Sequence, residues 1–120
     1  MNCDIIHINY NLKIRIMDYD KLDEVFKVSD PFLVARRLKK YYGKDAPTLY
    51  LSHNKTKKYL IFHPETNKKI NFGSIYYEDF TKHLDEKRRL NFLKRNHKWK
   101  DATMYSPAHL SYYLLIDNIV

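Results

Sequence analysis

Several acidic residues and one histidine are concentrated in a short stretch of the sequence, at spacings that suit a metal site or acid–base chemistry. Asp79 and His83 are four residues apart, and His83 and Glu86 are three apart, so a helix would place them on one face. Glu78 and Asp85 lie beside them. Carboxylate and imidazole groups grouped in this way can ligate a divalent ion. The same spacing is also that of ordinary exposed pairs, such as Asp79 with His83, and this second interpretation is preferred.

Other signatures of catalysis or cofactor binding are missing from the sequence. The six histidines are scattered without the cysteine partners of a structural zinc site, and Cys3 is the only cysteine, so an intramolecular disulfide is excluded. Gly43 and Gly73 are the only glycines, which rules out a Gly-rich phosphate loop. We therefore expect no metal, no cofactor, no small-molecule substrate and no enzymatic activity. No apolar run approaches the length of a membrane span, so we expect no membrane partner.

A basic segment that also contains aromatic residues points instead to a polyanionic partner. Residues 82–100 carry eight basic side chains against two acidic ones, and the whole chain has a net charge of +8. Lysine and arginine neutralise phosphates, and aromatic rings such as those of Tyr77 and Trp99 can stack on bases. The residues predicted to bind nucleic acid are Lys87, Arg88, Arg89, Lys94, Arg95, Lys98, Trp99 and Lys100, together with Arg36, Arg37, Lys40, Lys57 and Lys58.

Structural roles explain some of these residues equally well. Charges such as Arg36 and Arg37 within a helix are typical of a solvated face, and lysines on turns, such as Lys57 and Lys58, discourage edge-to-edge association of sheets. Most aromatic residues of the segment are expected in the core. Trp99, which is flanked by two lysines, suits either the core or a surface that binds nucleic acid.

The first half of the chain predicts one strand and two helices that would carry these residues. Apolar and polar residues alternate from Ile6 to Ile16, as in a half-buried strand. At roughly 3.3 Å per residue this strand would span about 36 Å, so part of it should leave its own core as a hairpin or an arm onto a second copy. Asp20 predicts the start of a short helix. A second helix is predicted between Ser29-Asp30-Pro31 and Gly43.

The second half predicts a small sheet followed by helices. Three runs rich in aromatic and branched residues predict a three-stranded antiparallel meander: Thr48–Ser52, Lys58–His63 and Lys69–Phe72. A helix is predicted from about Glu78 to Asn96 with a break near Asp85. Its first apolar group would be Tyr76, Tyr77, Phe80 and Leu84. Ser106-Pro107 predicts the start of a final helix that ends at Leu115.

These elements define the predicted fold class and domain organisation. The fold is expected to be α+β, with a small antiparallel sheet, formed by the N-terminal strand and the meander, packed with about three or four helices. At 120 residues the chain has the length of one domain, residues 1–120. Within it, residues 1–47 supply the first strand and helices, and residues 48–115 form the basic α+β region.

Part of the sequence resembles a family of short basic proteins encoded by large nucleocytoplasmic DNA viruses of amoebae and algae. The resemblance covers residues 48–115. It is carried by Tyr50-Leu51-Ser52, Lys57-Lys58-Tyr59, Pro64, Asn67, Phe72-Gly73, the run from Tyr77 to His83, the run from Asp85 to Arg89, Asn91, Arg95 and Tyr105-Ser106-Pro107. The resemblance implies a viral protein that associates with DNA and is packaged in the virion, with no enzymatic activity or cofactor to carry over.

The sequence thus favours a non-enzymatic protein that binds DNA, rather than RNA, without sequence specificity. We expect a homodimer located in the virion, and in the host cytoplasm or nucleus during infection, where it organises the genome. A first alternative is a virion structural protein whose basic face binds an acidic protein. A second alternative is a metal-dependent nucleic-acid enzyme that uses Asp79, His83, Asp85 or Glu86.

Overall fold

The protein has an α+β fold, which confirms the predicted fold class. A computed structural model of the chain describes residues 4–8, 12–16 and 18–116. The strands are β1 Asp4–Ile8, β2 Leu12–Ile16, β3 Leu49–Leu51, β4 Lys57–Phe62 and β5 Lys69–Ser74. The α-helices are α1 Tyr19–Phe26, α2 Pro31–Tyr42, α3 Phe80–His83, α4 Glu86–Arg95 and α5 Pro107–Leu110, with 3₁₀ turns at Gly43–Asp45 and His97–Asp101 and a π-helical segment at Ser111–Ile116.

The five strands form one sheet in the order β1-β2-β3-β4-β5. The predicted meander is confirmed, because β3 pairs antiparallel with β4, and β4 pairs antiparallel with β5. A single continuous strand over Ile6–Ile16 is wrong, whereas the hairpin expected as one alternative for part of it agrees with the structure. Two five-residue strands pair antiparallel there instead, with Ile8 opposite Leu12, so each strand supplies backbone partners to the other. Residues 9–11 of that prediction and Cys3 lie outside the described residues.

The relative direction of β2 and β3 differs from the prediction, which was an antiparallel sheet. These strands run parallel, with Ile14 opposite Leu49. A parallel connection needs a crossover, and α1 and α2 provide it between the two strands. The sheet is therefore mixed, and the two helices of the first half are its crossover.

Side-chain caps explain where the first two helices begin. The carboxylate of Asp18, rather than that of Asp20, caps α1 by accepting hydrogen bonds from the backbone N–H groups of Asp20 and Lys21. Asp30 caps α2 just before Pro31, as predicted. The C-terminal cap of α2 is Gly43, whose φ of 78° lies in the region that favours glycine.

The core lies where α2, the meander and the C-terminal helical segment meet. Its fully buried apolar residues are Val25, Val34, Leu38, Leu49, Tyr59, Ile61, Phe72, Leu110 and Leu114. The π-helical segment contacts both α2 and α4. It therefore connects the first helices to the basic segment. No helix within the described ranges has both the length and the apolar character that crossing a membrane requires.

The segment predicted as a helix from Glu78 to Asn96 is helical, as expected. It is divided into α3 and α4, and the division lies close to the break predicted near Asp85. Leu84 ends α3 in the left-handed conformation, with φ of 53°, and Asp85 then caps α4. The first helix starts two residues later than predicted, because Asp79 caps it. The final helix also begins as predicted, at Pro107 with Ser106 as its cap, and continues in π-helical form.

Candidate nucleic-acid interface

A cleft of about 760 Å³ lies where the β4–β5 pair, α4 and the C-terminal helical segment meet. This volume is within the roughly 300–1,000 Å³ that is typical of ligand sites. Its lining residues come from parts of the chain that are distant in sequence: Lys57, Lys58, Gly73, Ser74, Tyr77, Glu78, Asp79, His83, Arg88, Arg89, Asn91, Phe92, Arg95, Trp99, Pro107, Ala108, Ser111, Leu115 and Ile116. Five of them are Lys or Arg and two are Asp or Glu, so the lining carries a net positive charge.

A buried ion pair forms part of the cleft wall. The ammonium group of Lys58 lies 3.0 Å from Oδ2 of Asp79, and the two side chains are only 2% and 3% exposed. Burial lowers the pKa of Lys58, and the neighbouring carboxylate opposes that shift. An ammonium ion removed from water is stabilised here by a carboxylate that is equally buried.

Gly73 permits the close packing around this ion pair. A Cβ atom at Gly73 would lie 2.9 Å from Cδ1 of Leu115 and 3.2 Å from Cδ of Lys58. The φ of Gly73 is 80°, a conformation that other residues rarely adopt. Only glycine therefore allows β5, the Lys58 side chain and the π-helical segment to come together.

A chain of buried hydroxyl groups continues from the ion pair into the core. Thr81 donates to Oδ1 of Asp79 through its hydroxyl group, and its backbone N–H donates to the same oxygen at 3.0 Å. The Thr81 hydroxyl also lies 3.1 Å from that of Ser29, which accepts a hydrogen bond from Tyr59. The start of α3 is thereby fixed to the sheet and to the residues that precede α2.

The corner between α3 and α4 is stabilised by His83. Its Nδ1 accepts a hydrogen bond of 2.8 Å from the backbone N–H of Asp85, the cap of α4. Partial burial lowers the pKa of His83, and the Arg88 guanidinium lowers it further. A protonated imidazole carries hydrogen on both nitrogens and cannot accept this bond, so the corner requires the neutral form.

The two adjacent arginines of α4 have different environments. Arg88 is about half exposed and donates a hydrogen bond of 3.1 Å to Glu78 across the rim of the cleft. Arg89 is only 11% exposed, pairs with Glu86 and lies 5.6 Å from the centre of the Phe80 ring. Arg88 is thus available to a ligand at little cost, whereas Arg89 mainly stabilises the helix and the ring beneath it.

Most of the predicted nucleic-acid-binding residues are accessible, but they do not form one surface. The exposed ones are Lys87, Arg88, Lys94, Arg95, Lys98 and Lys100 in and after α4, and Arg36 and Lys40 on α2. The half-buried ones are Lys57, Arg89 and Trp99, which line the cleft together with Arg88 and Arg95. Arg36 and Lys40 lie outside the cleft lining.

Arg37 and Lys58 are corrections to the predicted set. Arg37 is 3% exposed, and one of its terminal nitrogens donates to the backbone carbonyl of Leu114 at 3.1 Å. The ammonium group of Lys58 is buried and donates a hydrogen bond to the carboxylate of Asp79. Both side chains serve to hold elements of the fold together, because a buried cation that is already hydrogen-bonded cannot reach a phosphate outside.

The apolar group predicted around Tyr76 is also wrong in part. Only Phe80 is buried; Tyr76, Tyr77 and Leu84 are more than half exposed. The helix starts after the two tyrosines, and Leu84 is in the left-handed turn, so these positions do not share the face of Phe80. Tyr77 lines the cleft and Tyr76 does not.

The acidic residues weighed as a metal site are dispersed in the fold. Asp79 is paired with Lys58, and Glu86 with Arg89. The predicted exposed pair of Asp79 with His83 does not form, since Asp79 is buried. Across residues 4–8, 12–16 and 18–116, no three His, Cys, Asp or Glu side chains come together as potential metal ligands.

Sequence reasoning missed the contribution of the last helix to the cleft. Pro107, Ala108, Ser111 and Leu115 line it although they are distant from the basic segment in sequence. Nothing in their residue types signals a ligand site. Gly73 was the one available signal, since an isolated glycine at the end of a strand indicates close backbone approach.

One family model matches part of the chain, over fewer than half of its residues. Residues 48–99 match the family described as "Family of unknown function (DUF5754)", a span that includes β3, β4, β5, α3, α4 and Trp99. No curated protein and no solved structure matches the chain. The matched span supplies most of the cleft lining, whereas the residues from Pro107 to Ile116 that complete it lie beyond the match.

Proposed function

We propose that the protein binds nucleic acid, principally DNA, without sequence specificity and without catalysing a reaction on it. The observation that carries the proposal is the cationic rim of the cleft. Arg88 is exposed and paired only at the surface. Among residues 18–116, Lys57 and Arg95 line the same cleft and form no ion pair.

The exposed charge continues from the cleft along α4 and the turn that follows it. Lys87, Lys94, Lys98 and Lys100 are exposed there, and the only acidic side chains of residues 82–100 are Asp85 and Glu86 at the start of the helix. A polyanion that crosses the cleft could therefore contact several cations in succession. Such contacts act on phosphates and do not distinguish bases, which accounts for the lack of sequence specificity.

The test is equilibrium binding of the full chain to fluorescently labelled duplexes of unrelated sequence over a series of salt concentrations. We expect similar affinities for all duplexes and a steep loss of affinity with salt. The double variant R88A/R95A should reduce the slope of log affinity against log salt by about 0.9 for each phosphate that is no longer neutralised.

A matched control is K68A/K69A. It removes two positive charges, as R88A/R95A does, from two exposed residues. These residues lie at the end of the β4–β5 pair that is farther from Lys57, so the variant should leave the salt slope unchanged. An equal loss in both variants would show that binding is not centred on the cleft rim. No binding of wild-type protein to any duplex or single strand at low salt would overturn the proposed function.

The biological setting belongs to the same proposal. The resemblance of residues 48–115 to basic proteins of large DNA viruses supports a protein packaged in a virion with the viral genome, and present in the host cytoplasm or nucleus during infection. A homodimer would double the number of phosphates that one particle neutralises. The predicted long strand is a pair of short strands and therefore no longer supports a dimer. The remaining support for the dimer is the doubled number of phosphate contacts. A monomer in sedimentation at high protein concentration would overturn it.

A second candidate function, binding to an acidic protein of the virion, is supported by exposed apolar side chains on the same segment. Leu84 is 62% exposed and Leu90 is 52% exposed. Apolar groups beside cations suit a protein surface better than a phosphate backbone. Equal affinity for polyglutamate and for DNA of similar charge, abolished by L90S, would favour this candidate. A clear preference for DNA would exclude it.

A further inference from the structure

We infer that the cleft accepts the bases and phosphates of a single-stranded nucleic acid, which the protein binds in preference to a duplex. The inference rests on the proposed function and specifies its ligand. It is carried by two aromatic side chains that line the cleft beside its cations, Tyr77 and Trp99.

Tyr77 presents an aromatic ring to solvent at the cleft. Its side chain is 72% exposed, although burying an aromatic ring is normally favourable. The neighbouring Tyr76 is 71% exposed but lies outside the cleft lining. Tyr76 and Tyr77 are thus equally exposed, and they differ in that only Tyr77 lines the cleft.

Trp99 is held at the cleft by an edge contact and is not inserted into the core. Its ring lies 5.6 Å from that of Phe92 at an interplanar angle of 73°, and Phe92 packs against the core. This contact supports one side of the indole, and the rest of the ring remains partly accessible. A ring that is already packed against a neighbour loses less entropy when a base stacks on it than a free ring would, which favours affinity.

The cations are placed to bind the phosphates of the same strand. Arg95 belongs to α4, which leads directly to the turn that carries Trp99, and Lys57 lies on β4 and lines the same cleft. Stacking requires an open base face, which single strands offer and stacked duplexes do not. A duplex presents only its base edges in the grooves, so the aromatic residues would be unused by a duplex ligand.

The experiment uses the full chain with oligothymidylate, oligouridylate and a duplex of equal length. Trp99 is the only tryptophan, so its fluorescence reports directly on the cleft. We expect the single strands to quench this fluorescence and the duplex to leave it nearly unchanged. Affinities are measured in parallel by the anisotropy of labelled oligonucleotides.

Y77A is the diagnostic variant and Y76A is its matched control. Y77A should weaken single-strand binding roughly 5- to 150-fold, the range for loss of one stacked base, and leave duplex binding unchanged. Y76A should change neither. Because both residues are exposed, neither variant is expected to impair folding, and circular dichroism verifies this.

Each result decides the question. Quenching by single strands together with the selective loss in Y77A supports the inference, and quenching only by oligouridylate would assign the cleft to RNA. Equal or tighter duplex binding, with no quenching and no effect of Y77A, overturns the single-strand inference but leaves the proposed function intact. Absence of binding to any of the three probes overturns both.

Discussion

Lys58 Nζ lies 3.0 Å from Asp79 Oδ2, in an ion pair that is almost completely removed from solvent. The pair joins β4 to the cap of α3, so it links the meander to the basic segment that follows. It also forms part of the cleft wall. The position of α3, and with it the corner that leads into α4, therefore depends on a contact between two charges that are almost fully shielded from solvent.

The first prediction concerns this ion pair. D79N keeps an oxygen that can accept from Thr81 but leaves the Lys58 ammonium without its counter-charge, so the free energy of unfolding should fall by about 3–5 kcal/mol. K58M should have a cost of similar size. The double variant should cost less than the sum of the two, because it leaves no unpaired charge. Urea denaturation measures all three.

The control for this cycle is the exposed pair of Glu78 and Arg88. E78Q should cost less than about 1 kcal/mol, since both partners are solvated. If D79N costs no more than E78Q, the buried pair does not stabilise the fold.

The second prediction separates two adjacent arginines of α2. R37M removes a buried hydrogen bond to the carbonyl of Leu114 and a cation–π contact 5.9 Å from the centre of the Phe80 ring. It should lower the free energy of unfolding by about 1–3 kcal/mol. R36M changes an exposed residue and should stay within about 0.5 kcal/mol of wild type. Equal effects in chemical denaturation would contradict the structural role assigned to Arg37.

The third prediction compares the two glycines, both of which have positive φ. Nothing lies within 4 Å of a Cβ atom at Gly43, so G43A should cost about 1–2 kcal/mol for its backbone conformation alone. G73A carries the same backbone cost and also forces Leu115 or the Lys58 side chain to move, which adds about 1–3 kcal/mol. Thermal and urea unfolding of both variants test this order, and a cost for G73A equal to that for G43A would show that the site relaxes freely.

The fourth prediction concerns pH. The pKa of His83 in the folded protein lies below its ordinary value of 6.5 because of burial and the charge of Arg88, which together outweigh Asp79, Asp85 and Glu78. Between the folded-state pKa and about 6.5 the unfolded chain binds more protons, so the contribution of His83 to stability falls as the pH is lowered through this window. Above 6.5 this contribution should be independent of pH.

NMR titration of the His83 ring protons gives the folded-state pKa directly. H83N keeps a short polar side chain without a group that titrates in this range, and its unfolding should have a weaker pH dependence between the two values. A pKa at or above 6.5, or an unchanged pH dependence in H83N, would contradict the prediction.

Local sequence signals determined much of the secondary structure. The caps at Asp30, Gly43 and Ser106 and the break near Asp85 are recognisable because each depends on a few neighbouring residues. The meander is confirmed for a similar reason, since its runs of aromatic and branched residues are separated by turn residues. The α+β class follows from these elements. The N-terminal strand pair was predicted only as one of two alternatives, because the same apolar–polar alternation describes one long strand and two short ones.

Only the tertiary structure decided which charges are buried and which lie at the cleft. Arg37 and Lys58 have the residue types of a basic surface, yet each is buried by partners 77 and 21 positions away in the sequence. The helical spacing of apolar residues groups Tyr77 with Phe80, whereas the Tyr77 ring is exposed to solvent and lines the cleft. The sequence alone determined that the chain carries excess positive charge, where α2 begins and ends, and where α5 begins. Whether a given cation meets solvent depends on contacts between elements far apart in the chain, and the pattern of charges around Arg37 and Lys58 in the sequence does not reveal those contacts.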